Sequence, residues 1–369
     1  MKGSALRGKN NMNKRALGDR TSSLVFTLLA ALASSCLLLL FFSESFFDSF
    51  TLFFINPLTN RYYLGNMLAF MAPLIVAGLG ISFAFESHNF NLGGEGQIYA
   101  GSLAAVLAAV ALKEKSTPVI WIVSFAAAAA AGGAIGALSG FLKRRLAVDE
   151  LISSFLISSI VVLLVDFCIT GPFQDPSSNF QATRAIGPAA AFPKLLPPSS
   201  LSTGIFVALL ASLLGKFALA RTRFGFELRL CGANKDFARY AGIDEGLYAL
   251  VPMFLSGALH GLAGALMVFG SYGRVLRGFS SGVGWSAIAV ALIARNSPLA
   301  LLPAAAFYAY LDAGSKSVMM GAGASSEMVG IIQAVIFLFI TATRLPFFKI
   351  PGPLIRSGRQ GSLADRKKP

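Results

Sequence analysis

The chain has 369 residues, of which 55% are hydrophobic and 13% are charged, and its formal net charge is +14. Soluble globular proteins carry about 25% charged residues, so this composition excludes that class. Apolar runs of about 20 residues recur without polar alternation, which excludes a membrane barrel and predicts an all-α polytopic membrane protein. We interpret the excess of Lys and Arg as the positive-inside tendency of such proteins rather than as a surface for nucleic acid.

About ten apolar runs predict transmembrane helices, and they divide the chain into a basic tail 1–22, a membrane domain 23–343 and a basic tail 344–369. The predicted spans are 23–42, 64–85, 96–112, 118–140, 150–170, 201–220, 247–270, 284–296, 298–314 and 326–343. The first run lacks a signal-peptide cleavage site, so we predict that it is retained. An even number of spans places both termini on one side, and the positive-inside tendency predicts that this side is the cytoplasm. The run 284–296 is short, and either a full span or a re-entrant helix is compatible with it.

Small residues crowd two of the predicted spans, at 126–140 and 257–264. Small side chains at three- and four-residue spacing let membrane helices approach closely. We therefore expect a tightly packed helical bundle at both places.

The segment 86–97 is too rich in glycine and polar residues to continue the helices on either side of it. Two interpretations are open on spacing alone. The segment is either non-helical backbone at membrane depth, which is tolerated only inside protein or along a watery cavity, or a plain cytoplasmic turn with Asn91 as a helix N-cap. In both cases Glu95 and Gln97 favour the positive N-terminal end of the next helix.

The segment 221–246 is polar and dense in charge, and it lies between two apolar runs. Residues 233–241 predict about two turns of helix, with Asn234 suited to capping the start and Gly242 to ending it. Phe237, Tyr240 and Ala241 share one face. The segment is therefore either a knob that inserts into the groove of a cytoplasmic partner or a solvated loop.

Two sequence blocks resemble those of a known family. Asn91-Leu-Gly-Gly-Glu-Gly-Gln97 is similar to the Asn-Ile-Gly-x-Glu-Gly-Gln signature of ABC-importer inner-membrane permeases in the branched-chain amino acid and simple-sugar superfamily. The block from Arg223 to Ile243 resembles that family's Arg-x-x-Gly…Arg-Ala-x-Gly-x-Asn…Ala-x-x-x-Gly-Ile pattern, although Leu230 stands where Ala is more usual. The blocks share the family's order and spacing, the similarity extends from about residue 64 to 343, and the Glu-Gly-Gln form resembles the nucleoside branch, which includes riboflavin permeases.

The resemblance implies a type II-like permease fold in which spans 2–5 and 7–10 are two inverted halves. It implies a coupling helix that docks on a cytoplasmic ABC ATPase. The residues of this helix would be Asn234, Lys235, Asp236, Phe237, Ala238, Arg239, Tyr240, Ala241, Gly242 and Ile243. It further implies a second, different permease subunit, an extracytoplasmic substrate-binding lipoprotein, and a place in the bacterial cytoplasmic membrane.

The sequence predicts a transport subunit rather than an enzyme. It lacks the phosphate-binding loop Gly-x-x-x-x-Gly-Lys-Ser/Thr, so ATP would be bound by the partner ATPase and no cofactor of its own is expected. Three cysteines and two histidines predict no metal site, disulfide framework or catalytic triad. Asp166 and Asp312, the best candidates for buried acids, lie near outer span ends, which opposes an ion-coupled secondary carrier. The basic C-terminal tail would contact anionic lipid.

The candidate substrate path combines aromatic and amide side chains, which suit a planar heteroaromatic solute better than an amino acid zwitterion. The residues assigned to the path are Phe90, Asn91, Glu95, Gln97, Trp285 and Asn296. We therefore predict a permease for a nucleoside-like solute. Riboflavin and simple sugars remain the alternative substrates.

Overall fold

The computed structural model describes residues 45–322, together with Cys36, Ile331, Ala334, Val335 and Leu338. This part of the chain is helical except for its connections, where three isolated β-bridges join residues of 174–202 to one another and to Leu276. Among the described helices, five are long and apolar enough to cross a membrane by length and composition. The predicted spans 23–42 and 326–343 fall outside the described residues, apart from the five single residues named above.

The helices follow one another closely along the described chain. They are α1 (Phe46–Phe50), which a π-helical turn (Thr51–Ile55) joins to α2 (Asn56–Thr59), then α3 (Arg61–Glu86), α4 (Gly94–Ala111), α5 (Thr117–Leu146), α6 (Glu150–Thr170), α7 (Gly204–Arg221), α8 (Arg223–Ala233), α9 (Lys235–Tyr240), α10 (Glu245–Met267) with a π-helical end (Val268–Tyr272), α11 (Val283–Ile293) and α12 (Leu301–Ala322). The five helices that are both long and apolar enough are α3, α5, α6, α7 and α10 with its π-helical end.

Local sequence explains where several long helices begin and end. Asn60, Asp149 and Asp244 each accept a hydrogen bond from a backbone N–H in the first turn of α3, α6 and α10. Such caps satisfy donors that have no partner within the helix. The last turn of α5 carries the basic residues 143–145, whose charges complement the negative end of the helix dipole.

Within the described residues, non-helical segments separate the predicted spans at 87–93, 112–116, 147–149, 171–203, 273–282 and 294–300, but the predicted break 43–63 is mostly helical and several helices run further than predicted. α5 continues to Leu146 and α12 to Ala322, past the predicted ends at 140 and 314. In contrast, α11 has only 11 residues. At 1.5 Å per residue it is about 16 Å long, about half the thickness of a hydrocarbon core. This helix is too short for the full crossing that was one of the two alternatives at 284–296.

Glycines bring α4, α5 and α10 into backbone contact. A Cβ atom on Gly257 would lie 2.2 Å from Gly132 O, and one on Gly261 would lie 2.1 Å from Ala128 O. A Cβ atom on Gly101 would lie 2.3 Å from Gly261 Cα. No side chain fits at such distances, so the predicted close packing of the glycine-rich segments is confirmed.

Candidate functional site

Residues 87–93, between α3 and α4, form a non-helical stretch that lies alongside α10. Near its start, Asn89 Nδ2 donates to Tyr248 O at 2.8 Å. At its end, a Cβ atom on Gly94 would lie 2.6 Å from His260 Nε2. Tyr248 and His260 are about 18 Å apart along α10, so the stretch runs along several turns of this helix.

The stretch therefore ends about half way along a helix of span length, since α10 and its π-helical end comprise 28 residues, Glu245–Tyr272. The structure thus shows non-helical backbone inside the helical bundle, the condition under which such backbone is tolerated at membrane depth.

One face of α6 satisfies the backbone of this stretch. Three side chains spaced four residues apart each accept a hydrogen bond from a backbone N–H, and we call them the α6 acceptor row. The pairs are Phe90 N to Glu150 Oε1 (3.3 Å), Leu92 N to Ser154 Oγ (3.0 Å) and Gly96 N to Ser158 Oγ (2.8 Å). From Glu150 to Ser154, four helical residues advance about 6 Å, close to the 6.6 Å or so of two extended residues such as Phe90 to Leu92. The first two members of the row thus stand where a neighbouring strand would stand in a sheet, and the third reaches Gly96 in the first turn of α4.

Asn91 and Gln97 bind each other and α10 in the protein interior. Asn91 Nδ2 donates to Gln97 Oε1 at 2.9 Å and to Ser256 Oγ at 2.8 Å, while Asn91 Oδ1 accepts from Gly93 N at 2.8 Å. Both side chains belong to residues with no exposed surface. The N-cap of α4 is Gly93, and it makes no side-chain cap bond. The interpretation of Asn91 as the N-cap is therefore wrong, because its amide closes the turn before the helix instead.

Glu95 connects the starts of α4 and α11. Its Oε2 accepts from Gly284 N at 2.9 Å, and its Oε1 accepts from Ser280 Oγ. A Cβ atom on Gly284 would lie 2.4 Å from Glu95 N, so the two helix starts are in backbone contact. The carboxylate stabilises the positive end of α11 as well as that of its own helix. Residues 273–282 precede α11 as 87–93 precede α4, so the order long helix, non-helical stretch and shorter helix occurs twice.

The other three predicted path residues lie apart from this buried set. Phe90 and Trp285 are 36% and 45% exposed, and the Trp285 ring packs on that of Phe155 with centroids 6.0 Å apart. Asn296 follows the far end of α11, so the length of that helix separates it from Glu95. The structure thus brings Asn91, Glu95 and Gln97 together, places Phe90 and Trp285 at the surface nearby, and leaves Asn296 at a distance.

The predicted cytoplasmic helix is present but shorter than expected. Asn234 caps α9 by accepting from Phe237 N at 2.9 Å, and Gly242 follows with a φ of +78°. Both assignments from the sequence are confirmed. Ala233, expected inside this helix, instead ends α8, because Asn234 has extended backbone and separates the two helices. Phe237 is 55% exposed and Tyr240 92% exposed, whereas Ala238 is buried.

α8 is fixed to the membrane helices at two points. Tyr248 Oη donates to Glu227 Oε2 at 2.7 Å, and the Tyr248 ring stacks on that of Phe224 with centroids 5.8 Å apart. At the other end of α8, a Cβ atom on Gly232 would lie 2.1 Å from Glu86 O. The bonds from Arg223 and then from the Tyr248 hydroxyl hold the pKa of Glu227 below its ordinary value.

Several residues of the site were missed by the sequence reasoning. The missed residues are Asn89, Lys143, Glu150, Ser154, Ser158, Tyr248, Ser256, Ser280 and Gly284. One signal was available for the acceptor row, namely polar residues at 150, 154 and 158 on a single face of an otherwise apolar span.

Comparison with known proteins gives a family match across most of the described chain. Residues 63–341 match the family described as the permease component of branched-chain amino acid transport systems. The matched region includes both the stretch 87–93 and the segment α8–α9.

Three characterised or named relatives are similar over nearly their whole length. The glucose ABC transporter permease of Haloferax volcanii is 32% identical over 335 residues, covering 88% of this chain and 87% of the relative. A protein of Treponema pallidum named as a probable riboflavin import permease is 33% identical over 326 residues, covering 87% and 85%. The guanosine ABC transporter permease of Bacillus subtilis is 31% identical over 331 residues, covering 88% and 94%.

Proposed function

We propose, because this chain belongs to the family of permease components of branched-chain amino acid transport systems, that it forms the translocation path of an ABC importer for a nucleoside-like solute. The continuous family match over residues 63–341 is the observation that supports an ABC-importer permease. The multi-pass helical fold agrees with it, since helices satisfy their own backbone in lipid. Similar relatives are named as permeases for guanosine, riboflavin and glucose, so the family alone leaves the substrate among these three.

The exposed aromatic rings beside the break support a planar heteroaromatic solute. Phe90, Phe155 and Trp285 are all at least one-third exposed, and such rings offer flat faces on which a nucleobase or a flavin can stack. In the proposal these rings line the path. Asn91, Glu95 and Gln97 fix the backbone behind them, and Asn296 contributes beyond the C-terminal end of α11. Riboflavin is the alternative of the same chemistry, and a simple sugar is the alternative favoured by the glucose relative.

In this proposal a separate cytoplasmic ABC ATPase binds ATP and supplies the energy for transport. We propose that residues 234–243 dock on it, with Phe237 and Tyr240 as the anchors. Exposed aromatic residues on a short, partly buried helix are typical anchors for a partner's groove. A second, different permease subunit and an extracytoplasmic binding lipoprotein would complete the assembly. The two occurrences of helix, stretch and shorter helix support two inverted halves, and the positive-inside tendency supports cytoplasmic termini.

Uptake by cells that express the complete transporter tests the proposal. The probe is tritiated guanosine, supplied to a host without its own nucleoside uptake, with unlabelled adenosine, riboflavin and glucose as competitors. We expect ATP-dependent guanosine uptake that adenosine reduces and glucose does not. A partner ATPase that lacks its phosphate-loop lysine is the negative control. Uptake of riboflavin alone or of glucose alone would replace the substrate assignment, and uptake that persists with the inactive ATPase would refute the class.

A further inference from the structure

A single buried amide, that of Asn89, holds together the start of the non-helical stretch and two long helices. The residue is 2% exposed. Its Oδ1 accepts from Lys143 Nζ at 2.7 Å, and its Nδ2 donates to Tyr248 O at 2.8 Å and to Ser87 Oγ at 2.7 Å. The amide therefore makes contacts in three directions, toward α5, toward α10 and toward the end of α3.

Through Lys143, this amide is connected to α6. Lys143 Nζ also lies 2.6 Å from Glu150 Oε1, with the two side chains 18% and 10% exposed. The same Glu150 is the first member of the α6 acceptor row. A buried ion pair contributes little net stability, since desolvation opposes the attraction, but it fixes geometry. By contrast, the neighbouring pair Arg144–Asp244 is 40% and 58% exposed, and a surface pair of this kind is weak.

Through Tyr248, the amide is connected to α8 in the predicted cytoplasmic segment. Tyr248 receives the Asn89 bond at its carbonyl and donates from its hydroxyl to Glu227 of α8. Gly232, at the end of α8, lies against the carbonyl of Glu86, one residue before the non-helical stretch begins. The polar contacts, buried or partly buried, thus run without interruption from Glu227 through Tyr248, Asn89 and Lys143 to Glu150.

We propose that this contiguous set, which we call the Asn89 junction, consists of positioning residues that transmit displacement of α8 and α9 to the stretch 87–93. The inference rests on the proposed function, because the displacement would be that of a segment docked on an ATPase. None of the five side chains contacts the solute in this arrangement. A displacement of α8 acts on Tyr248 and on the end of α3, and through Asn89 it moves the extended backbone relative to α6.

The test uses the complete transporter in liposomes and measures guanosine imported per ATP hydrolysed. Tyr248→Phe removes the bond to Glu227 but keeps the ring that stacks on Phe224. The double variant Lys143→Met with Glu150→Gln removes the bond to Asn89, leaves no unpaired buried charge and keeps an acceptor for Phe90 N. We expect each variant to assemble into the complete transporter and to hydrolyse ATP at a basal rate near that of the wild type. The amount of guanosine imported per ATP hydrolysed should fall by about fivefold, the effect of one lost hydrogen bond.

Lys316→Met with Asp312→Asn is the control, because it too neutralises both members of an ion pair. Lys316 Nζ lies 2.6 Å from Asp312 Oδ2, the same separation as in the junction, but at the far end of the bundle, and its side chain is 58% exposed. In this control the ratio of guanosine imported to ATP hydrolysed should equal that of the wild type. A ratio that stays at the wild-type value in both junction variants would overturn the proposal, even if their thermal stability fell, because that outcome is what a purely structural role produces.

A second measurement needs no transported solute and so separates this inference from the substrate assignment. Hydrogen exchange of residues 87–97 is compared with and without ATP and vanadate bound to the ATPase. In the wild type the nucleotide should change the exchange, and in both junction variants this response should be lost. A full response in the variants would overturn the junction, whereas a wild type that imports no guanosine yet shows the response would overturn only the nucleoside assignment.

Discussion

Replacing Ser154 by Ala should loosen the backbone of the non-helical stretch without altering the side chains of the proposed path. The hydroxyl is buried and accepts the Leu92 N–H at 3.0 Å. Without it, Leu92 N has no acceptor at membrane depth, and an unsatisfied buried N–H costs about 1–3 kcal/mol. Because each 1.4 kcal/mol or so is a factor of ten, the local opening of residues 87–97 should become about 5- to 150-fold more frequent. Hydrogen exchange of peptides covering these residues measures that opening directly.

Ser159→Ala is the matched control for this substitution. Ser159 lies on the same helix, but it is exposed and its hydroxyl bonds only to Phe155 O, within α6 itself. Exchange in 87–97 should be unchanged in this variant. If Ser154→Ala and Ser159→Ala gave equal exchange in the segment, the α6 acceptor row would not hold the stretch, and the comparison of this row with a strand would be wrong.

Phe237→Asp and Tyr240→Asp should each leave the permease in the membrane but reduce ATP-driven uptake by about tenfold or more, because a charge would replace an aromatic anchor; normal uptake in both would remove α9 from the docking surface. Gly257→Ala should destabilise the permease by about 1–3 kcal/mol through overpacking, since its Cβ would lie 2.2 Å from a backbone oxygen, whereas Gly187→Ala, with no atom within 4 Å, should be neutral; equal melting temperatures would contradict this. The depressed pKa of Glu227 means that its stabilisation is present above the ordinary value of 4.5 and is lost as the pH falls through the lower folded-state pKa. The advantage in melting temperature over Glu227→Gln should therefore shrink on acidification, and a difference that is independent of pH would show that the carboxylate charge does not matter.

Features that depend on neighbours in the sequence could be predicted well. Apolar runs located the helices, and the short-range geometry of Asn234 and Gly242 identified the start and the end of α9. The error at Ala233 has the same local origin. Its helix-forming tendency does not say which of two adjacent helices it joins, and the extended backbone of Asn234 assigns it to the first.

Features that depend on distant partners could not be predicted in this way. Asn89 and Asn91 lie two positions apart in the same polar segment, yet one binds the end of α5 and the other binds the middle of α10. Nothing local distinguishes them, because the difference lies in how the helices pack. Ser154 and Ser158 are likewise unremarkable in an apolar helix, where a serine can bond to its own backbone. Only the position of α6 next to the stretch makes them acceptors.

The non-helical stretch also has a consequence for biosynthesis. Its hydrogen-bond partners follow it in the chain by 60 residues at Glu150, 62 at Ser154 and 159 at Tyr248. When residues 87–93 leave the ribosome, none of these partners has been made, and lipid offers no substitute for them. The stretch must therefore remain in water or within the insertion machinery until α10 has been synthesised. Its entry between the helices is accordingly a late step of membrane assembly, and pulse-labelling of a cysteine placed at Leu92 during translation would follow it.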